Sequence, residues 1–181
     1  MVKTKKSSVN QDFTLGGEVI LRGERRKVNL GVARLYDFTE MKMPVEVVRG
    51  KKNGAVLFVC AAIHGDEING VEIIRRLLNH AALDVIVGTL IAVPIVNVFG
   101  FNERSRYLPD RRDLNRCFPG SEHGSMGSQL AHIFMEEIVA NSTHGIDLHT
   151  GAFHRHNLMQ IVVIWKMRKP RGWRKPLAHP L

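Results

Sequence analysis

Two kinds of apolar spacing alternate along this chain. From Gln11 to Val48, apolar and polar residues trade places as in EVILRG and PVEVVRG, with Gly16-Gly17, Gly23 and Gly31 interrupting. That pattern predicts short β segments. Ala55 to Ala62 (AVLFVCAA) is instead continuously apolar, which predicts a strand buried on both faces. The polar turn His64-Gly65-Asp66-Glu67 follows, and from Asn69 onward Val71, Ile74, Leu77 and Leu78 recur at helical spacing. Leu90 to Val98 reads as a second buried strand. Helical spacing returns over Gln129 to Val139, through Leu130, Ile133, Phe134 and Ile138. Gly145-Ile146-Asp147-Leu148 is then a short apolar step that delivers His149.

Strand, turn, helix and strand repeated in this order predict an α/β fold with a mixed, largely parallel sheet flanked by helices. Such folds place their sites in loops beyond the carboxyl ends of strands. His64-Glu67 and His149 both fall there. Between them, Phe99 to Ser125 is rich in Gly, Pro, Asp and Arg without a regular period, and loops of that length are functional or disordered. A length of 181 residues is enough for one domain with a sizeable core.

Composition narrows the function classes. The hydrophobic share of 44% and charged share of 24% are those of a soluble globular protein. No apolar run approaches the roughly eighteen residues a membrane span requires. Residues 1–10, MVKTKKSSVN, are basic and lead into QDFTLGGEV rather than an apolar stretch, so a flexible start is expected and not a secretory signal. Two cysteines, Cys60 and Cys117, offer no disulfide framework and point to a reducing cytoplasm. The net charge of +9 invites a polyanionic partner, but Ile161 to Leu181 holds six Lys or Arg and no acid. The remainder has twenty basic against seventeen acidic residues. Without a basic stripe in the body, nucleic-acid or membrane-surface binding rests on the tail alone.

The candidate chemistry sits in three places. His64 and Glu67, at i and i+3 by a helix entrance, can point an imidazole and a carboxylate at one spot. Zinc accepts N and O donors, and its catalytic sites keep a position for water. The plain alternative is a solvated turn whose acid is stabilised by the helix dipole. The second place is Asp113-Leu114-Asn115-Arg116-Cys117-Phe118-Pro119-Gly120, where an amide and a guanidinium stand side by side. An arginine holds a carboxylate with two parallel hydrogen bonds, which suits an acidic or amino-acid ligand. A surface loop whose Asp and Arg pair with each other is the alternative. The third is Asp147-Leu148-His149-Thr150, a further histidine after a strand, which alone reads equally as an edge-strand or core histidine.

Taken together and in this order, AAIHGDEINGVEII, RSRYLPDRRDLNRCFPG and IDLHTGAFHRHNL resemble the succinylglutamate desuccinylases and aspartoacylases, relatives of the zinc carboxypeptidases. The resemblance covers roughly Ala55 to Gln160. It implies a zinc-carboxypeptidase-like fold and one zinc ion held by His64, Glu67 and His149. It implies that Asn115 and Arg116 hold a substrate carboxylate, that Arg106 polarises the scissile carbonyl, and that Asp113 orients the loop. The implied substrate is a small N-acyl amino acid whose amide bond is hydrolysed. Zinc lowers the pKa of bound water and polarises the carbonyl, while removing one oxyanion donor such as Arg106 costs on the order of 3 kcal/mol.

The chain departs from that pattern in two places. Asn97-Val98 stands where the family tends to have Asn-Pro. The family's general-base glutamate lies on a later strand, before a β-rich C-terminal domain, yet no Asp or Glu follows Gln160. The expectation is therefore a catalytic domain over 11–160, incomplete at its C-terminus, with a non-family basic tail at 161–181. A shifted reading frame is the expected origin of that tail, a basic, aromatic tail for nucleic acid or a membrane surface being the alternative. Moving each codon by one base turns the Trp165 triplet into Leu or Met and the Lys166 triplet into Glu. Met167 becomes Asn or Asp, and Arg168 can become Ala, a more helix-compatible and acidic run. A catalytically inactive zinc- or ligand-binding module is the alternative to an active deacylase.

Overall fold

The computed structural model describes residues 12–34 and 38–151. The basic segment 1–10 and the tail 161–181 singled out above lie outside the described residues. Strands β1 (Phe13–Leu15) and β2 (Glu18–Ile20) form a small antiparallel pair that turns at Gly16-Gly17, both at positive φ. The main sheet contains β3 (Arg25–Arg34), β4 (Glu40–Arg49), β5 (Lys52–Ala61), β6 (Val87–Val93) and β7 (His144–Leu148). Their order across the sheet is β3-β4-β6-β5-β7.

The sheet is mixed, as expected. Its parallel part is confined to β6-β5-β7, and the pairings β3/β4 and β4/β6 are antiparallel. The expectation of a largely parallel sheet thus describes the half that carries the candidate ligands. The other half is a long hairpin. Gly31 does not end β3 as the spacing suggested; the strand passes through it with a register shift between Gly31 and Ala33.

The continuous apolar run at β5 has the predicted cause. Phe58 and Cys60 face one core and Val59 and Ala61 the other. Strand β6 divides in the same way, with Ile91 and Val93 against Leu90 and Ala92. Helix α1 (Asn69–Leu78) covers the second core with Ile74 and Leu78. Ile74 is fully buried, and burying such a side chain contributes roughly 2 kcal/mol. Gly70 lets α1 approach closely, since a Cβ there would lie 2.7 Å from the Ala61 Cβ and 2.9 Å from the Leu148 Cβ. On the opposite face, helix α3 (Met126–Ile133) continues as a π-helical turn, Phe134–Val139. Leu130, Phe134 and Ile138 pack from there against Phe58 and Cys60 in the larger core.

Strand β6 stops at Val93, short of the expected Val98, because Pro94 cannot donate to the ladder. Asn97 instead caps helix α2 (Val98–Glu103), its Oδ1 accepting from the Gly100 N–H at 2.8 Å. This helix opens the stretch expected to be irregular. Val98 takes the first helical position, where proline is well tolerated, so the departure from Asn-Pro leaves the turn intact. Among the described residues no helix is long and apolar enough to cross a membrane.

Candidate metal centre

The site begins where β5 ends. Ala62 adopts a left-handed backbone (φ 51°), unusual for a residue with a Cβ, and turns the chain sharply out of the strand. The Ala62 carbonyl accepts from the Asn97 N–H at 2.9 Å, which ties the turn to the end of the neighbouring strand. His64 and Glu67 follow at 3% and 4% exposure. Gly65 is required at the centre of the turn, since a Cβ there would fall 1.9 Å from the Gly100 carbonyl carbon. The parallel register of β5 and β7 sets Ala61 beside Leu148, so His149 emerges next to this turn.

Glu67 is the hub. Its Oε1 lies 2.7 Å from His64 Nδ1 and its Oε2 lies 2.8 Å from His149 Nδ1. Oε2 also accepts from the Thr150 N–H at 2.9 Å, and Arg106 Nη1 reaches Oε1 at 3.5 Å. Burial works against the Glu67 carboxylate, but the two imidazoles and the Thr150 N–H outweigh it and hold its pKa well below the usual range. Burial likewise works against a charged His149. The carboxylates of Asp147 and Glu67 outweigh it and raise its pKa from 6.5 to about 10.

Each imidazole meets a second carboxylate on its far side. His64 Nε2 lies 3.2 Å from Asp113 Oδ1, and His149 Nε2 lies 2.8 Å from Asp147 Oδ2. Histidines that bind metals commonly have such a partner, which fixes the ring and its tautomer. One ligand atom each from His64, Glu67 and His149 can be chosen so that all lie within 4.8 Å of one another. Two imidazoles and one carboxylate form a donor set suited to a divalent transition metal.

The loop expected to carry substrate contacts closes over this cluster. Asp113 caps a short 3-10 turn, Leu114–Arg116, with its Oδ1 accepting from the Asn115 N–H at 2.9 Å. Its Oδ2 receives Arg106 Nε at 3.3 Å and Nη2 at 3.1 Å. Burial opposes ionisation of Asp113, but the Asn115 N–H, His64 and Arg106 prevail and lower its pKa. Leu114, fully buried, pins the turn to the core. Asn115 Nδ2 lies 3.3 Å from His64 Nε2.

The structure therefore gathers His64, Glu67, His149, Arg106, Asp113 and Asn115 around one point. Arg116 stands on the same 3-10 turn, exposed, and makes no ion pair among the described residues. Two contributors escaped the sequence reading. The Thr150 amide could not be found from side-chain type. Asp147 could have been, because residues two apart on a strand share a face with the ligand histidine.

The catalytic-domain profile of succinylglutamate desuccinylase/aspartoacylase matches residues 53–171. The chain belongs to this family. The N-alpha-acetyl-L-2,4-diaminobutyric acid deacetylase of Halomonas elongata is 32% identical over 110 residues, spanning 60% of this chain and 32% of that protein. The succinylglutamate desuccinylase of Pseudomonas aeruginosa is 30% identical over 155 residues, 77% of this chain and 43% of that one. Among solved structures, a succinylglutamate desuccinylase/aspartoacylase from Rhodobacter sphaeroides superposes with a TM-score of 0.65 at 28% identity. That match covers 70% of this chain and 40% of the other. The chain thus spans less than half the length of each of these desuccinylase/aspartoacylase relatives, and both the β5 turn and the Asp113 loop lie within the matched residues.

Proposed function

We propose that this chain carries the zinc-binding and carboxylate-binding part of an amide hydrolase acting on N-acyl amino acids. The observation that supports this most is the double bracketing of both imidazoles. Glu67 sits on the inner nitrogen of His64 and His149, and Asp113 or Asp147 on the outer one. His64, Glu67 and His149 would hold one zinc ion. Bound there, zinc supplies an acidified water and polarises the amide carbonyl.

The chain's own residues supply the rest of the proposed chemistry. Arg106, anchored along one edge by Asp113, presents positive charge beside the centre, where it would stabilise negative charge developing on the carbonyl oxygen. Asn115 and Arg116 would hold the carboxylate of the amino acid, Arg116 being exposed and unpaired among the described residues. Asp113 keeps Arg106, Asn115 and His64 in one arrangement. Free Cys60 and Cys117 support a reducing cytoplasm as its home.

A second reading, a site that binds zinc and ligand without turnover, is favoured by the state of the nearby carboxylates. Glu67, Asp113 and Asp147 are all engaged by imidazoles or Arg106, which leaves none of the three free as a general base. Glu72, on α1, is bound by Arg75 and Arg76 instead. Incubating the zinc-loaded 181-residue protein with N-acetyl and N-succinyl amino acids, and measuring amine release and ligand binding, separates these readings. Zinc-dependent release that Arg106→Ala abolishes supports the hydrolase. Binding that Arg116→Ala weakens, without release, supports the second reading. Neither binding nor release contradicts both.

A further inference from the structure

Strand β7 brings Asp147 and His149 to the same side of its end, because side chains two apart on a strand face the same way. Asp147 is in register with Cys60 of β5. Its Oδ1 accepts from the Cys60 thiol at 3.4 Å, while its Oδ2 lies 2.8 Å from His149 Nε2. Both carboxylate oxygens are thus used, one toward the core and one toward the imidazole. On its other side the same ring has Nδ1 2.8 Å from Glu67 Oε2. A half-turn of the ring would exchange each nitrogen for a carbon and lose both contacts, so the pair of carboxylates selects one ring orientation.

We propose that Asp147 is a positioning residue for the metal centre: it accepts the Nε2–H of His149 and so reserves Nδ1, the nitrogen facing Glu67, for the metal. This rests on the zinc reading above. A carboxylate in that role fixes the tautomer and raises ligand basicity. An isolated surface Asp–His pair would orient nothing. Here the Asp147 side chain, though 35% exposed, is anchored from behind by a fully buried thiol. Asn at 147 could donate from its amide and favour the opposite tautomer, with the proton on Nδ1.

The test compares zinc affinity, by competition with a chromophoric chelator, in the wild type, Asp147→Asn, Asp147→Glu and Cys60→Ala. Long-range ¹⁵N–¹H spectra of the His149 ring in the zinc-loaded wild type accompany it. Asp147→Asn is expected to weaken zinc binding about 10–100-fold, the usual cost of losing such a partner. Asp147→Glu should recover part of that loss, and Cys60→Ala should cost less than Asp147→Asn. The wild-type ring should carry its proton on Nε2. Asp147→Asn with wild-type affinity, or a proton on Nδ1 in the loaded wild type, overturns the assignment. If Asp147→Asn fails to fold by circular dichroism, the wild-type ring spectrum alone decides. A wild type that takes no zinc defeats the zinc reading itself, and this inference with it. Tight wild-type binding matched by Asp147→Asn defeats only the role of Asp147.

Discussion

The two histidines that meet at Glu67 are set in very different surroundings. His64 is 3% exposed, sealed beneath the Asp113–Arg116 turn and held by a glycine that tolerates no Cβ. The His149 side chain is 34% exposed, at the end of β7, which among the described residues pairs only with β5. The buried ring depends on protein partners for both nitrogens, since water cannot replace them. The outer ring depends on carboxylates for its orientation and charge while solvent still reaches it. The first wall of the centre is thus part of the fold. The second stands at the edge of the sheet, where solvent reaches it.

Breaking the inner wall has the largest expected effect. Gly65→Ala forces a Cβ into the Gly100 backbone. It should destabilise by at least about 3 kcal/mol and lower Tm by on the order of 10 °C. The same substitution should abolish zinc binding. A thermal melt unchanged by Gly65→Ala would show that the β5 turn is looser than described.

The comparison is sharpened by removing each ring in turn. His64→Ala strands the buried Glu67 and half-buried Asp113 carboxylates on one side, and should cost about 2–3 kcal/mol. His149→Ala leaves Asp147 in contact with water, and the buried Glu67 Oε2 keeps the Thr150 N–H, so it should cost less, about 1–2 kcal/mol. Chemical denaturation of both variants checks the order. Equal losses would mean that exposure does not distinguish the two walls.

Titration separates them again. His149 has its pKa raised from 6.5 to about 10, so the stability gained from its ion pairs is fully present below about pH 6.5. That stability fades as pH rises through about 10. Protein stripped of zinc by a chelator should therefore weaken between pH 7 and 10, and His149→Gln should flatten that slope. Zinc held by His149, as proposed, would have to displace the same proton, so its affinity should rise over this window by up to about tenfold per pH unit. A pH-independent affinity would show that His149 does not give up a proton to the metal.

Much of this was legible in the residues. The continuous apolar run of β5 announced its two-sided burial, and the spacing of Val71, Ile74 and Leu78 announced α1. The three ligand candidates could be named together because the HGDE and DLHT steps, each after a strand, resemble the family's ligand motifs. What stayed hidden depended on pairings across the sheet. The hairpin β3–β4 and its antiparallel contact with β6 cannot be read from period-two spacing, which is the same for either direction. Helix α2 was missed because Asn97 caps it through a local contact inside a Gly-rich stretch. Asp147 was visible in the DLHT step, but its partnership with Cys60 needs the β5/β7 register.

The smallest expected effect is at Ala62. Relieving its left-handed backbone with glycine gains about 1–2 kcal/mol. The lost methyl burial, about 0.8 kcal/mol, and the added chain entropy, roughly 0.5–1 kcal/mol, offset that gain. Ala62→Gly should therefore change stability by less than about 1 kcal/mol, as read by urea denaturation. A larger loss would mean that the Ala62 methyl has a packing role at the head of the turn.

The central claim is that His64, Glu67 and His149 together hold one zinc ion, and metal stoichiometry tests it most directly. Purified wild type, His64→Ala, Glu67→Gln and His149→Ala would be equilibrated with zinc, dialysed and analysed by mass spectrometry of the metal alongside circular dichroism. The account predicts one zinc per chain in the wild type, and almost none in the three variants that retain wild-type secondary structure. Unchanged zinc content in the folded His64→Ala and His149→Ala proteins would contradict it.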